Sequence, residues 1–378
     1  MTRTSIGWGF VTLALGMLGL GCSDAAEVVT TDGGVTADGS GTDATAGDGG
    51  PVDSGADVGV SPDGAASFAK GWLYTQGNKV YVANGTGGGS VWVGRGVNMD
   101  DIFFCGYDNT LWMSNPGQSL TTLATNLVTT WKPTFVRLSL SMNSYPTKPS
   151  WTANPAQYKT PMTTVINAIG QSPGVYVMVT LRSDVSMVME DMLSSDSEAT
   201  GVPSNATDAT YVALVDTFAN ASFVLFGLSN EPGGDQVQTS VITAAMEHAV
   251  GVIRAEENKL GVPHHIVSVQ GNNWTSDISA YAAKPLPYDN VVYEVHGYPP
   301  LPSSYTYANL PVILGEYGTL ANATAFFADV EAKQIPNLAW DFDPYSDCTP
   351  DLLLVNQSST NLTLTAWGTT VKAYLLAH

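Results

Sequence analysis

The chain has 378 residues and a formal net charge of −20, because 34 acidic residues outnumber 14 lysines and arginines. This acidity argues against binding to nucleic acid, which needs a basic surface, and against charge-driven binding to anionic lipid. Hydrophobic residues make up 44% of the chain, enough for a large core. The 9 Trp and 16 Tyr residues offer flat apolar faces to a neutral partner, although most are expected to pack in the core.

The first 22 residues, MTRTSIGWGFVTLALGMLGLGC, have the pattern of a secretory signal. One basic residue, Arg3, precedes an apolar run over 6–20 that is too short for a comfortable membrane span. The ending LGLGC resembles the lipobox of bacterial lipoproteins, with Gly19 where that family prefers Leu. We therefore expect an exported protein, either anchored to the cell envelope through a lipidated Cys22 or secreted after cleavage that removes Cys22.

Residues 23–67 have the composition of a flexible linker. They are rich in Gly, Asp, Ala and Thr, and they contain no aromatic residue and no Lys or Arg. Such a segment buries too little apolar surface to offset the entropy cost of ordering, and its acidic groups repel one another. We expect a disordered tether followed by one folded domain, residues 68–378.

Eight short apolar runs in the folded part predict β-strands that are buried on both faces. They span 91–99, 134–140, 175–181, 223–230, 265–271, 291–298, 311–318 and 336–342. Helical segments are predicted between or after several of them, at 208–221, 237–260, 322–334 and 364–378. Eight strand–helix units in about 290 residues predict an α/β fold, the (β/α)₈ TIM barrel. A doubly wound sheet is the main rival, but no glycine-rich phosphate loop follows the first strand.

Two further features belong to this predicted barrel. The segment KVYVANGTGGGSVWV, residues 79–93, predicts a small N-terminal β-hairpin that covers the barrel floor. Cys105 follows the first predicted strand and Cys348 follows the eighth. Because these strands are neighbours in a closed barrel and an exported chain meets an oxidising compartment, a disulfide is favoured over two unpaired thiols.

Polar residues stand at or near the carboxyl ends of several predicted strands, where barrel enzymes keep their reactive groups. They are Arg137, Asn230, Glu231, His296, Tyr298, Glu316 and Trp340. The two glutamates matter most, because glycosidic bond cleavage needs one carboxyl group that donates a proton and one that stays ionised. They end strands four and seven, whose tips face each other across a barrel mouth of about the size of a sugar ring.

These motifs resemble glycoside hydrolase family 5, a cellulase-like family of barrel glycosidases. The resemblance rests on SNEP at strand four, VHGY at strand six and LGEYG at strand seven, with Arg137 in FVRLSL and Trp340 in LAWDF. It covers roughly residues 70–378 in order and spacing. One position departs from the family, which usually has a His at the end of strand three, where this chain has Arg182.

The resemblance implies a role for each residue. Glu231 would be the general acid and then the general base, and Glu316 the nucleophile. Arg137 and Tyr298 would keep Glu316 ionised. Asn230 would bind the sugar 2-hydroxyl, His296 would line the mouth, and Trp340 would stack under the sugar ring.

Simpler interpretations apply to some positions. Arg137 could be a structural partner of Glu294, which shares a strand face with His296. Asn98, at the end of the first strand, is expected in a turn. The other histidines are expected to be structural or exposed, and no spacing predicts a metal site.

The sequence therefore predicts a retaining glycoside hydrolase that acts on a polysaccharide, most simply as an endo-enzyme on β-1,4-glucan or β-mannan. We expect a monomer that needs no cofactor, binds no nucleic acid and meets a membrane only through its N-terminal lipid. A non-catalytic carbohydrate-binding lipoprotein and an exo-glycosidase of the same clan are the alternatives. Long loops over 139–155 and 181–203 are expected to shape the groove, with Trp151 as an outer sugar platform.

Overall fold

A computed structural model describes residue 69 and residues 71–102, 116–142, 150–184, 186–187, 201–235, 237–298, 306–343, 352–353 and 362–378. All of them lie in one compact unit, residues 58–378. The predicted signal, linker and lipidation site, together with Cys105 and Cys348, lie outside the described residues.

Eight parallel strands close into a barrel, which confirms the predicted fold. They are β4 (Arg95–Met99), β5 (Phe135–Ser141), β6 (Tyr176–Ser183), β7 (Val224–Gly227), β8 (Val267–Gln270), β9 (Val291–Gly297), β10 (Val312–Tyr317) and β11 (Asn337–Ala339). Each strand pairs with the next in sequence, and β11 pairs with β4 to complete the circle. The closed circle leaves no unpaired sheet edge.

A three-stranded antiparallel sheet precedes the barrel and consists of β1 (Leu73–Gln76), β2 (Lys79–Ala83) and β3 (Gly89–Val91). Trp92, just after this sheet, stacks edge-on against Phe135 and Tyr176, the first residues of β5 and β6. The sheet therefore covers the amino-terminal end of the barrel, where the sequence predicted a hairpin. It has one strand more than the predicted hairpin.

The first barrel strand begins later than predicted. Residues 91–99 were expected to form one strand, but β3 ends at Val91 and β4 starts at Arg95. Gly94 lies between them, and a Cβ there would come 2.3 Å from the Trp92 ring. The backbone at Gly94 passes close to the Trp92 ring at the point where the chain turns from the small sheet into the barrel.

Helices surround the barrel at α1 (Pro116–Thr130), α2 (Lys159–Gly170), α3 (Asp208–Phe218), α4 (Thr239–Leu260), α5 (Ser279–Ala283), α6 (Ala323–Lys333) and α7 (Ala366–Ala377). Their ends follow ordinary capping chemistry. Asn322 caps α6 by accepting from the Ala325 amide, and Gly261 ends α4 with a left-handed φ of 66°. In the part of the chain that the structure describes, no helix is long and apolar enough to span a membrane.

The core has two apolar layers that leave the carboxyl end of the barrel polar. One layer lies between the strands and the helices, and a smaller one fills the amino-terminal half of the barrel interior. Nearer the carboxyl end the interior holds Arg137, Ser268 and Glu294, all fully buried. Buried charges persist in a protein only where partners satisfy them, so this polar layer marks the region where the site lies.

Candidate active site

The two predicted catalytic glutamates face each other at the carboxyl end of the barrel. A carboxylate oxygen of Glu231, one of Glu316 and a ring nitrogen of His296 all lie within 4.8 Å of one another. Glu316 is nearly buried, and the Glu231 side chain is 19% exposed. Two carboxylates at this separation can act on opposite sides of one reacting carbon.

Glu231 is held in an unusual backbone conformation just after β7. Its φ is 46°, in the left-handed region that few non-glycine residues adopt. Its amide donates to Gln270 Oε1 at 2.5 Å, and its carbonyl accepts from the Gly234 amide at 2.9 Å. These two bonds hold the turn that directs the carboxylate out of the strand. Pro232 cannot donate to a ladder, and Gly233 and Gly234 have positive φ values that end the extended conformation.

Arg137 is the buried cation of the site, and it lies inside β5 rather than at the strand end. Its Nη1 donates to Glu316 Oε1 at 2.8 Å and to Asn98 Oδ1 at 2.9 Å, and its Nη2 donates to Asn230 Oδ1 at 2.7 Å. Its Nε forms an ion pair with Glu294 at 3.1 Å. Burial lowers the pKa of Arg137, but the charges of Glu294 and Glu316 outweigh burial and raise it, so the guanidinium stays charged.

Glu316 takes contacts on both carboxylate oxygens. Oε1 accepts from Arg137, and Oε2 accepts from the Tyr298 hydroxyl at 2.7 Å. His296 Nδ1 lies 3.5 Å from Oε2. These contacts place a donor on each oxygen and fix the direction of the carboxylate.

His296 lies between carboxylates on both sides of its ring. Nδ1 is 2.7 Å from Glu231 Oε1, and Nε2 is 3.1 Å from Glu294 Oε1. Burial lowers the pKa of His296, but the charge of Glu316 and the hydrogen bonds to Glu231 and Glu294 raise it to about 10. Burial likewise raises the pKa of Glu294, while Arg137 and His296 lower it to about 2. Both ring nitrogens of His296 therefore face carboxylate oxygens.

A β-bulge at Gly315 shapes the approach to Glu316. The pairing register of β10 with β9 shifts between Leu314 and Glu316. A Cβ on Gly315 would come 1.9 Å from Glu294 Oε1, so only glycine fits beside that carboxylate. The bulge re-aims the Glu316 side chain into the barrel mouth, which is a common use of bulges beside functional sites.

Trp340 follows β11 and is partly exposed at the barrel mouth, where Arg182 contacts its ring. The guanidinium carbon of Arg182 lies 5.0 Å from the centre of its ring. Arg182 Nη1 also lies 3.5 Å from Asp100 Oδ1. The residue that departs from the family pattern therefore contacts the predicted sugar platform.

A second group of carboxylates lies beside this stack. Oxygens of Asp100, Asp341 and Asp343 lie within 4.8 Å of one another, and all three side chains are buried. Burial raises the pKa of Asp100 to about 6, opposed by Arg182 and reinforced by the charges of Asp101 and Glu316. This mouth is therefore acidic on two sides.

The structure overturns two expectations. Trp151 is not an outer platform, because it is 1% exposed and packs with Tyr158 and Phe218 while its Nε1 donates to the Ala213 carbonyl. Asn98 is not in a turn.

Asn98 instead lies within β4, fully buried. It accepts from Arg137 and donates to the carbonyls of Gly315 and Ala339. The expected structural pair of Arg137 and Glu294 is present together with the contact to Glu316, so Arg137 serves both carboxylates.

Gln270 is a site residue that the sequence reading missed. It ends β8, is fully buried, and accepts from the Glu231 amide and from the Thr275 hydroxyl. Its signal in the sequence is a polar residue at the end of the apolar run HIVSVQ, the same signal that marked the other strand ends. The loops predicted to shape the groove lie partly outside the described residues.

The fold and the paired glutamates together are those of a barrel glycosidase. A family model, cellulase of glycosyl hydrolase family 5, matches residues 94–346, about two thirds of the chain. The chain therefore belongs to glycosyl hydrolase family 5 and is a glycosidase. No curated protein gives a significant match.

Solved structures share the fold at low sequence identity. The catalytic domain of Thermobifida fusca endoglucanase Cel5A is 19% identical with a TM-score of 0.59, covering 81% of this chain and 97% of that one. The β-glucanase SdGluc5_26A of Saccharophagus degradans is 17% identical with a TM-score of 0.62, covering 81% and 93%. The mannanase catalytic domain of Streptomyces sp. SirexAA-E is 21% identical with a TM-score of 0.56, covering 81% and 90%.

Proposed function

We propose that the protein is a retaining, endo-acting glycosidase that cleaves β-1,4-linked glucan or mannan by double displacement. The observation that carries the proposal is the approach of Glu231 and Glu316 to within 4.8 Å. Retaining glycosidases hold their carboxyl groups about 5–5.5 Å apart, whereas inverting enzymes need roughly 6.5–9.5 Å to admit a water molecule. The shorter separation favours direct attack by one carboxylate.

In the first step Glu316 attacks the anomeric carbon. Arg137 and Tyr298 each donate to one of its oxygens and so fix the direction of the attacking carboxylate. As the new carbon–oxygen bond forms, the bond to the leaving oxygen breaks, and Glu231 gives that oxygen its proton. The products are a glycosyl ester on Glu316 and a leaving glycan whose former glycosidic oxygen is now a hydroxyl group.

In the second step water releases the sugar. Glu231, now ionised, takes a proton from water as the water oxygen attacks the anomeric carbon from the side that the leaving group vacated. Glu316 departs as a carboxylate, and Glu231 is protonated again. Two displacements at one carbon return the original β-configuration.

Neighbouring residues supply binding. Asn230 lies beside Glu231, and Arg137 fixes its amide by donating to Oδ1. This placement supports a contact from Asn230 to the sugar 2-hydroxyl, which strengthens as charge develops at the anomeric carbon. Trp340 at the mouth supports stacking of a sugar ring on its indole.

The substrate class is supported by the family and by the neighbours. The family model is that of cellulases, the Saccharophagus β-glucanase has been solved in complex with cellotetraose, and another similar fold is a mannanase. Glucose and mannose differ at one hydroxyl group, so both polymers remain in the proposal.

The test is hydrolysis of soluble cellulosic and mannan polymers by the wild-type protein and by Glu231→Gln and Glu316→Gln. We expect one polymer to be cut to a range of oligosaccharides, and each variant to lose about 10²–10⁴-fold in rate. Release of a single small sugar from chain ends would show that the enzyme is exo-acting and not endo-acting. Binding without hydrolysis by the wild type would favour the carbohydrate-binding alternative, which the intact glutamate pair argues against.

We also propose that the protein is exported and held to the cell envelope by a lipid on Cys22, with residues 23–67 as a tether. The support is the sequence pattern alone. Metabolic labelling with a fatty acid, compared between wild type and Cys22→Ala, tests it. Equal labelling of both would exclude lipidation at Cys22.

A further inference from the structure

Glu294 links Arg137 to His296. Its Oε1 lies 3.1 Å from Arg137 Nε and 3.1 Å from His296 Nε2, and its Oε2 accepts from the Ser268 hydroxyl at 2.7 Å. The side chain is fully buried and contacts the backbone of Gly315 so closely that no Cβ fits there. It is a third carboxylate in the site, and the double displacement does not use it.

The proton count on His296 follows from these contacts. A neutral imidazole donates from one ring nitrogen and accepts at the other. In this structure both nitrogens face carboxylate oxygens, Glu231 on one side and Glu294 on the other. A neutral ring would bring its lone pair against one carboxylate, so the geometry requires either an imidazolium or a protonated carboxyl group.

We propose that Glu294 is a positioning residue for the acid/base pair: its carboxylate holds His296 as an imidazolium whose Nδ1–H donates to Glu231. The inference rests on the proposed role of Glu231 as acid and base. Glu294 does not touch the reacting atoms. It acts by keeping a proton next to the glutamate that must give one away.

The surrounding charges make this assignment specific. The charged groups around His296 and Glu294 are Arg137 from β5, Glu231 after β7 and Glu316 from β10. The neighbouring strand β8 contributes the uncharged Ser268, and Tyr298 after β9 donates to Glu316. Glu316 already has Arg137 as a partner, and Glu231 must be protonated in the reactive state. Glu294 is therefore the one carboxylate here that can stay ionised beside His296 through the whole cycle.

The pKa directions agree with the geometry. The pKa of Glu294 is lowered to about 2 and the pKa of His296 is raised to about 10, so both groups are charged near neutral pH. Glu294→Gln removes the negative charge at Nε2. One neighbouring charge moves a pKa by about 1–3 units, and loss of a negative charge makes protons leave more easily. The pKa of His296 should therefore fall, and the Glu231–His296 pair should lose its proton at lower pH.

The first test observes His296 directly and needs no catalysis. The full-length chain carries five histidines, so ¹⁵N-histidine labelling with long-range ¹H–¹⁵N spectra is practical, and His296→Asn identifies the signal. We expect the wild-type His296 ring to have imidazolium shifts from pH 5 to 9. In Glu294→Gln its titration should move down by about 1 unit or more. A neutral wild-type ring at pH 7, or an unchanged titration in the variant, would overturn the proposal.

The second test is the pH profile of kcat/KM on the polymer that the wild type cleaves. Glu294→Gln should move the alkaline limb to lower pH by about 1 unit or more, whereas a purely structural role would lower the rate equally at all pH values. If the wild type cleaves no glycan, the proposed function fails while the NMR titration still decides the charge of His296.

The chain offers a matched control at the other end of the barrel. Glu257 lies in a second buried Arg–Glu–His cluster, where Oε2 accepts from Arg254 at 2.6 Å and Oε1 lies 2.8 Å from His265 Nδ1. Glu257→Gln should alter the His265 signal and the stability but leave His296 and the alkaline limb unchanged. If Glu294→Gln does not fold, Glu294→Asp keeps the charge and should keep His296 protonated at pH 7. A neutral His296 in that variant would contradict the proposal.

Discussion

Arg182 lies over the ring of Trp340, with 5.0 Å between the guanidinium carbon and the ring centre. The same guanidinium lies 3.5 Å from Asp100. A cation on an indole is attracted by the ring quadrupole, so Arg182 fixes the orientation of the residue on which a sugar is proposed to stack. The departure from the family at the end of strand three thus has a defined effect at the barrel mouth.

Arg182→Met should weaken substrate binding more than chemistry. Methionine keeps an apolar stem against Trp340 but removes the charge from both the ring and Asp100. We expect KM for a soluble oligosaccharide to rise several-fold with a smaller change in kcat, and unfolding free energy at pH 7 to fall by about 1–2 kcal/mol. Lys284→Met, which removes an exposed charge, should change neither quantity. An unchanged KM in Arg182→Met would show that the stack does not support binding.

Gln270→Met should impair the enzyme through the Glu231 backbone. The Glu231 amide donates to Gln270 Oε1, and it would be left without this acceptor while φ stays in the left-handed region. An unsatisfied buried group costs about 1–3 kcal/mol. We expect a stability loss of that size and a fall in kcat of about 10-fold or more, measured by denaturant unfolding and initial rates.

Thr275→Val is the matched control for Gln270. Its hydroxyl donates to the same Gln270 oxygen at 3.1 Å but makes no side-chain hydrogen bond to Glu231 among the described contacts. The variant should therefore lose some stability and keep most of its kcat. If both variants lose kcat equally, the bond to the Glu231 amide is not what matters.

Asp100 should make stability depend on pH in the acid range. Its pKa is raised from 3.8 to about 6, with burial as the main cause, so its ionised form destabilises the folded state. This cost is absent below about pH 3.8 and complete above about pH 6. At pH 7, Asp100→Asn should raise the unfolding free energy by about 2–3 kcal/mol relative to wild type, and the advantage should disappear by pH 4. Urea unfolding at pH 4, 5, 6 and 7 measures it; a difference that does not change with pH would contradict the prediction.

The barrel could be predicted because strands buried on both faces are apolar nearly throughout, and because polar residues interrupt that pattern only near their ends. The same interruption located Glu231, Glu316 and His296. The start of β4 could not be placed, since it depends on Gly94 passing the Trp92 ring, a contact between two segments.

Two other residues show what a sequence pattern leaves open. Trp151 lies in a loop that was predicted to present an aromatic ring to sugar, but packing with Tyr158 and Phe218 buries it. Asn98 is a common turn residue, but Arg137 on the neighbouring strand makes it a buried hydrogen-bond partner. Both outcomes depend on which side chains the fold brings close.

The central claim is that Glu316 forms a covalent bond to the sugar while Glu231 handles the proton. The most direct test treats the protein with a 2-deoxy-2-fluoro glycoside of the cleaved sugar that carries a good leaving group, and maps the label by peptide mass spectrometry. A retaining enzyme should be labelled once, on the peptide that contains Glu316, and Glu316→Gln should not be labelled. A label on Glu231, or an unlabelled active protein that inverts the anomeric configuration of its product, would contradict the account.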